Sequence, residues 1–352
     1  MEAVALLFVG VVGTIIFFAF RYKAADHSQY DEPRTQPEIS DSEVSPAHDA
    51  VVGKLKEFAK SASTDVKIAR QQLEDLFYRE VDAQIIDVDV DGIPGEWVLA
   101  EGADPSRRLL YLHGGAFRVG SPRSHRHITY ELSKRNGLAV LVIDYRMQPE
   151  YKTIDCHDDA RRAYRWIIDN GPQGDDELKS LFVAGDSAGG NLALSVIAWA
   201  RDHGHRAVDG AIAFAPLTDA SLSSPTWKSN VETDPFLGPG FGPLLKVPRF
   251  VMAMMMRRPS GAPVNDPVLS PLLGNLSGLP SILIQVGRDE MLYGDSQRYA
   301  NKARAHGCDV TLQVWPKMVH VFQAFPELPE AEVALSNASD FIRLKMGGNE
   351  TA

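Results

Sequence analysis

Only two cysteines, Cys156 and Cys308, occur in the 352 residues. That is too few for a disulfide framework, and their separation lacks the paired spacing of a metal site. Positive charge is also in deficit, with 36 Lys and Arg against 46 Asp and Glu and a net charge of -10. No electrostatic footprint for nucleic acid results, so that class of partner is set aside. Neither an internal repeat nor a coiled-coil pattern is visible. One long apolar run stands out: Ala3 to Phe20 holds 18 residues without a charge, about 27 Å as a helix at ~1.5 Å per residue and close to the ~30 Å hydrocarbon core. Glu2 precedes it where a signal peptide carries Lys or Arg, and the run exceeds a usual signal core. It is therefore read as an uncleaved single-pass membrane anchor, with a cleaved signal peptide as the rival. Arg21 and Lys23 follow the span and weakly favour a cytoplasmic placement of the rest of the chain.

The rest of the chain divides by composition. Residues 1–23 form the expected anchor and 24–47 a polar, acidic, proline-containing flexible tether with little to bury. Apolar residues at helical spacing from Val51 to Tyr78, interrupted near Ser61 to Thr64, predict two amphipathic helices within an N-terminal cap, 48–82. Alternating runs at Gln84 to Val90 and Glu96 to Ala100 flank a Gly-Ile-Pro-Gly turn, which predicts an antiparallel hairpin. Continuous apolar runs follow at Leu109 to Leu112, Ala139 to Ile143, Leu181 to Ala184, Ala211 to Phe214, Ile282 to Val286 and Val310 to Val314, separated by helix-like stretches. The expectation is an α/β fold with a mainly parallel sheet covered on both faces, spanning 83–220 and 268–346. Between those parts, 221–267 is rich in Pro and Gly and includes a methionine run, Met252 to Met256. Those methionines are either core filler or the lining of a pocket under a mobile cap.

Two glycine-rich strings carry the chemistry. Gly185-Asp186-Ser187-Ala188-Gly189-Gly190 follows one predicted strand, and His113-Gly114-Gly115-Ala116-Phe117 follows another. The first fits a strand-to-helix elbow whose small residues let a serine hydroxyl project; the second fits a loop whose backbone N–H groups face an oxyanion. Serine needs a base, and the base needs an orienting acid. His320, after the last predicted strand, is better placed than His203, His205 or His306, which fall at helix ends. Asp289 and Glu290 both follow the strand Ile282 to Val286, and adjacent residues there point in different directions, so the pattern leaves both open. His125/His127 and His203/His205 have spacings a metal could use, without a convergent third ligand.

These strings, together with Asp144-Tyr145-Arg146-Met147-Gln148-Pro149-Glu150, Ser270-Pro271, Leu279-Pro280 and the ending around His320, resemble the hormone-sensitive-lipase family of α/β-hydrolases from about Val51 to Leu344. The resemblance implies an eight-stranded α/β-hydrolase sheet, a helical cap, and serine esterase or lipase activity on short to medium acyl esters with no cofactor. Its acid motif, counted from Gly287, falls on Glu290 where most relatives carry Asp, leaving Asp289 as the alternative. It implies Gly114, Gly115 and Ala188 as oxyanion donors, His113 as a loop-shaping residue, and Asp144, Tyr145, Arg146 and Glu150 as a buried polar brace. The expected partner is a small-molecule ester, with the membrane reached through the N-terminal segment and a homodimer compatible. Amidase, formamidase or acyltransferase chemistry on the same fold is the alternative. A catalytically silent receptor, like the plant gibberellin receptors that resemble this family, is disfavoured by the presence of Ser187, His320 and an acid.

Overall fold

A computed structural model describes residues 26–32, 38–39, 44–174 and 177–347. All eight predicted strands are present, and a two-residue strand at the margin makes nine among the described residues. In chain order they are β1 (Glu38–Ile39), β2 (Gln84–Val90), β3 (Ile93–Leu99), β4 (Asp104–Leu112), β5 (Leu138–Ile143), β6 (Ser180–Asp186), β7 (Gly210–Phe214), β8 (Ile282–Gly287) and β9 (Val310–Trp315). Their spatial order is β1-β9-β8-β7-β6-β4-β5-β3-β2. Only β2 with β3 and β3 with β5 pair antiparallel; every other pairing is parallel.

Burial explains the sequence pattern. Strands β5, β6, β7 and β8 are buried at every residue, as continuous apolar runs demand when helices cover both faces. Arg126–Asn136 packs on Pro329–Gly347, and Thr153–Asp169 packs on Ala188–Asp202. The order matters for the site. After β4 the chain goes to β5 on one side and then crosses to β6 on the other, so a topological switch point opens at the carboxyl end of β4. Both glycine strings lie there.

Two helices, Ala47–Ser61 and Val66–Phe77, lie where the helical spacing puts them. Asp65 ends the break between them by accepting hydrogen bonds from the N–H groups of Lys67 (2.9 Å) and Ile68 (3.3 Å). The 221–267 segment carries short helices at Thr226–Ser229 and Gly238–Phe241 and a longer one at Arg249–Ser260.

Two expectations about the N-terminal region require correction. Among the described residues no helix is long and apolar enough to cross a membrane, so the expected single-pass anchor and the cytoplasmic placement drawn from it are without support in the structure and are not carried further. Ala3 to Phe20, where it was expected, lies outside the described residues. The stretch read as a flexible tether includes docked segments. Tyr30 is buried, Asn301 Nδ2 donates to the carbonyls of Tyr30 and Glu32 at 2.9 Å each, and Arg298 grips Asp31 at 2.5 and 3.0 Å. Further along, Glu38–Ile39 adds to the sheet beside β9. Composition missed this because a few specific polar contacts, rather than apolar burial, hold the segment. Asp31→Ala is expected to lower folding stability by about 1–3 kcal/mol, the worth of a charge-assisted hydrogen-bonded pair, and to expose residues 26–32 to faster limited proteolysis; unchanged cleavage would refute the docking.

Candidate active site

Ser187 joins β6 to the helix Ala188–Asp202 with φ 54° and ψ -114°, a backbone state that non-glycine residues hold only when their surroundings enforce it. The enforcing contacts are explicit. Its N–H donates to the Phe214 carbonyl at the end of β7 (2.8 Å), and its own carbonyl accepts from Leu217 and Asn191, each at 3.1 Å. Tight approach explains the glycines on either side. A Cβ at Gly189 would lie 1.9 Å from the Leu112 carbonyl oxygen, and one at Gly185 would lie 2.4 Å from the Gly189 carbonyl oxygen. The elbow therefore presses directly on the end of β4.

The loop after β4 is held as firmly. Gly115, Ala116 and Phe117 all have positive φ, at 117°, 54° and 59°. His113 is fully buried, stacks on Tyr145 with ring centroids 4.2 Å apart, and its Nδ1 bonds the Gly114 carbonyl at 2.8 Å. Burial, aided by the neighbouring His125, pushes the His113 imidazole down to about 3, so it is neutral at physiological pH. Gly115, Ala116 and Ala188 line the cavity with Ser187, and the Ala188 N–H belongs to the first helical turn, where no intrahelical acceptor exists.

Gly114 departs from the expected role. Its N–H donates to Asp186 Oδ1 at 3.0 Å, so that donor is committed inside the protein. Asp186, the residue before the serine, is fully buried and also accepts from Tyr111 Oη at 2.8 Å, with His125 Nε2 at 3.3 Å. Burial alone would raise its carboxyl; His125 and Tyr111 outweigh that and hold it below the ordinary carboxylate value. Sequence reasoning quoted Asp186 without giving it a task and considered His125 only as a metal ligand. The signal that could have found Asp186 was the position of an acid inside a glycine string that had to be buried.

The segments after β8 and β9 bring Glu290 and His320 together. His320 Nδ1 lies 2.5 Å from Glu290 Oε2, while Glu290 Oε1 accepts from the Gly287 N–H at 2.6 Å. Both residues are buried. Gly287 is needed for the approach, because a Cβ there would stand 2.1 Å from the Met318 carbonyl oxygen. Burial opposes charge on the imidazole, but the Glu290 carboxylate and its hydrogen bond prevail and hold His320 above its ordinary value of 6.5. Asp289 is half-buried, and its recorded contact is through its carbonyl, which accepts from Thr233 Oγ1 at 2.8 Å.

The 221–267 segment reaches into this acid loop through residues the sequence did not single out. Asn230 Nδ2 donates to the carbonyls of Arg288 (2.9 Å) and Glu290 (3.0 Å), and Asp234 Oδ2 accepts from the Met291 N–H (2.9 Å). Next to that clamp, Phe236 lies 6.0 Å from the His320 ring and 5.8 and 5.9 Å from Phe58 and Phe77 of the N-terminal helices. Both cap pieces thus close over one cavity of about 1020 Å³ that includes Ser187 and His320, at the upper end of small-molecule sites. Met252 and Met256 line it, whereas Met254 and Met255 face solvent.

Other singled-out residues have different surroundings. Tyr145 is buried and Arg146 pairs with buried Asp159 at 2.8 Å, but Asp144 and Glu150 are exposed, and Glu150 pairs with Arg70 at 2.7 Å; the expected buried brace therefore reaches the surface at both ends. His203 and His205 lie against Trp199 in tilted arrangements, with ring centroids 5.0 and 4.7 Å away. Among the described residues, no group of three His, Cys, Asp or Glu side chains could hold a metal ion.

Comparison with known proteins agrees with this geometry. A family model described as "alpha/beta hydrolase fold" matches residues 109–324. An acetyl-hydrolase of Streptomyces hygroscopicus is 34% identical over 262 residues, covering 74% of this chain and 83% of that protein. Esterase LipU of Mycobacterium tuberculosis is 35% identical over 248 residues, covering 70% and 80%. Among solved structures, an esterase from the bacterial hormone-sensitive lipase family superposes with a TM-score of 0.76 at 31% identity, covering 87% of this chain and 100% of its own. An esterase/lipase from an uncultured bacterium gives 0.76 at 35% identity, covering 86% and 99%. With its doubly covered sheet, serine elbow and buried His–Glu pair at one cavity, the chain belongs to the hormone-sensitive-lipase branch of the α/β-hydrolase family and is a serine carboxylic-ester hydrolase.

Proposed function

We propose that the chain hydrolyses short to medium acyl esters through an acyl-enzyme, with Ser187 as nucleophile, His320 as general base and acid, and Glu290 as the acid that orients it. The 2.5 Å contact between His320 and Glu290 carries the reading, because it leaves the other imidazole nitrogen for the serine proton while the carboxylate balances the charge that forms. His320 takes the proton as Ser187 Oγ attacks the ester carbonyl. The N–H groups of Gly115 and Ala188 receive the oxyanion, with Gly114 shaping the loop through Asp186. Collapse expels the alcohol, which takes its proton from His320. Water then attacks the acyl-enzyme by the same path.

A fluorophosphonate probe is expected to label Ser187, and Ser187→Ala to abolish labelling and lower p-nitrophenyl butyrate hydrolysis by at least about 1000-fold. An unlabelled protein that retains hydrolysis would dismiss the mechanism; a protein that binds esters without turnover would instead be a receptor.

For the acid, Glu290→Gln is expected to lower kcat by about 100-fold or more, whereas Asp289→Asn leaves kcat near that of the wild type. The reverse result would assign the role to Asp289. The pH profile gives an independent measure. His320 must be neutral to act as base, so activity falls as pH drops through its raised value, and the acidic limb of kcat/KM is expected above 6.5. In Glu290→Gln, with the stabilising carboxylate gone, that limb moves to lower pH.

Substrate range follows from rates over p-nitrophenyl esters of increasing length with an anilide control. Acetate to octanoate are expected ahead of palmitate, and the anilide is expected to react slowly; a faster anilide would favour the amidase alternative.

A further inference from the structure

We propose that the mouth of this cavity binds an anionic group on the ester substrate, a carboxylate or phosphate remote from the scissile bond; the inference rests on the ester-hydrolase reading and adds the class of ester. It starts from Gln148, which is 8% exposed and ties three segments together. Its backbone N–H donates to the Phe117 carbonyl (2.8 Å), and its Nε2 donates to Thr153 Oγ1 (2.6 Å) and to the Pro259 carbonyl (3.3 Å). Next in sequence to each of those partners stands a cation: Arg118, Lys152 and Arg258. All three are exposed and line the cavity that holds Ser187. Among the described residues, none of their side-chain cations has an ion-pair or hydrogen-bond partner.

The carboxylates on the same rim are already engaged. Glu150 gives both oxygens to Arg70, at 3.0 and 2.7 Å. Asp155 Oδ2 accepts the Lys152 N–H at 2.8 Å, and its Oδ1 lies 3.9 Å from Arg146. A chain of net charge -10 thus presents three uncompensated cations at the entrance to a mostly apolar cavity walled by residues such as Leu73, Phe241 and Met252. An ester with an apolar body and one anionic end matches that division. Attraction of this kind raises productive encounter with substrate and weakens with salt.

Two matched pairs of substrates test the inference and separate the acyl from the alcohol side. The p-nitrophenyl half-ester of adipic acid is compared with p-nitrophenyl hexanoate, and 4-(carboxymethyl)phenyl hexanoate with 4-methylphenyl hexanoate. In one pair the anionic ester is expected to have the higher kcat/KM, by about tenfold at low ionic strength and approaching parity in ~0.5 M salt. Combining Arg118→Gln, Lys152→Gln and Arg258→Gln is expected to bring that ratio close to one. No preference in either pair, or a preference that survives the triple substitution, overturns the inference. Ser187-dependent hydrolysis of the neutral esters without such a preference leaves the esterase reading intact, whereas no hydrolysis of any of the four overturns both.

Discussion

Everything at the site depends on the closeness with which the turn after β6 is pressed onto the end of β4. Gly185 and Gly189 permit the contact, since a side chain at either would collide with backbone oxygen. Asp186 then exploits it, reaching from one strand end to the Gly114 N–H of the other. A single buried carboxylate therefore links the turn that carries Ser187 to the loop from His113 to Phe117. Because the carboxylate is desolvated, each of its hydrogen bonds counts for more than it would in water, and losing a partner would be correspondingly costly. Positive φ at Ser187 and at the run from Gly115 to Phe117 is strain that this contact, and not local preference, sustains.

The cap is more than a cover. Its later piece supplies Asn230 and Asp234, which hold the backbone around Glu290, and Phe236, which meets the N-terminal helices and the His320 ring. Phe236, which lines the cavity, is thus in contact with the His320 ring and two residues in sequence from the clamp on the Glu290 loop. On the opposite rim, Arg70 of the N-terminal helix Val66–Phe77 bonds the carbonyls of Arg118 and Gln148 as well as Glu150. The two pieces accordingly grip different parts of the site, the Glu290–His320 pair and the loop after β4.

Periodicity made the eight main strands legible, because fully buried parallel strands must be apolar throughout. The two catalytic strings were legible for a steric reason, as tight turns accept few residue types. Other features left no such trace. Asp31 and Tyr30 sit in a stretch of unfolded-like composition and are ordered by Arg298 and Asn301, far along the chain. Gly114 looked equivalent to Gly115, and only the carboxylate of Asp186 distinguishes them. Glu150 and Arg146 are neighbours in one motif, yet one reaches solvent while the other pairs with buried Asp159.

By itself the sequence determined the fold class, the serine elbow, the loop before it and the histidine after the last strand, since each is imposed by local sterics or by the burial pattern of a single element. Tertiary structure alone decided which of two adjacent carboxylates meets His320, which glycine N–H is already used, and which cations at the rim remain unpaired. Those outcomes depend on distances between residues remote in sequence, set by strand order and side-chain packing, and no spacing along the chain encodes them directly.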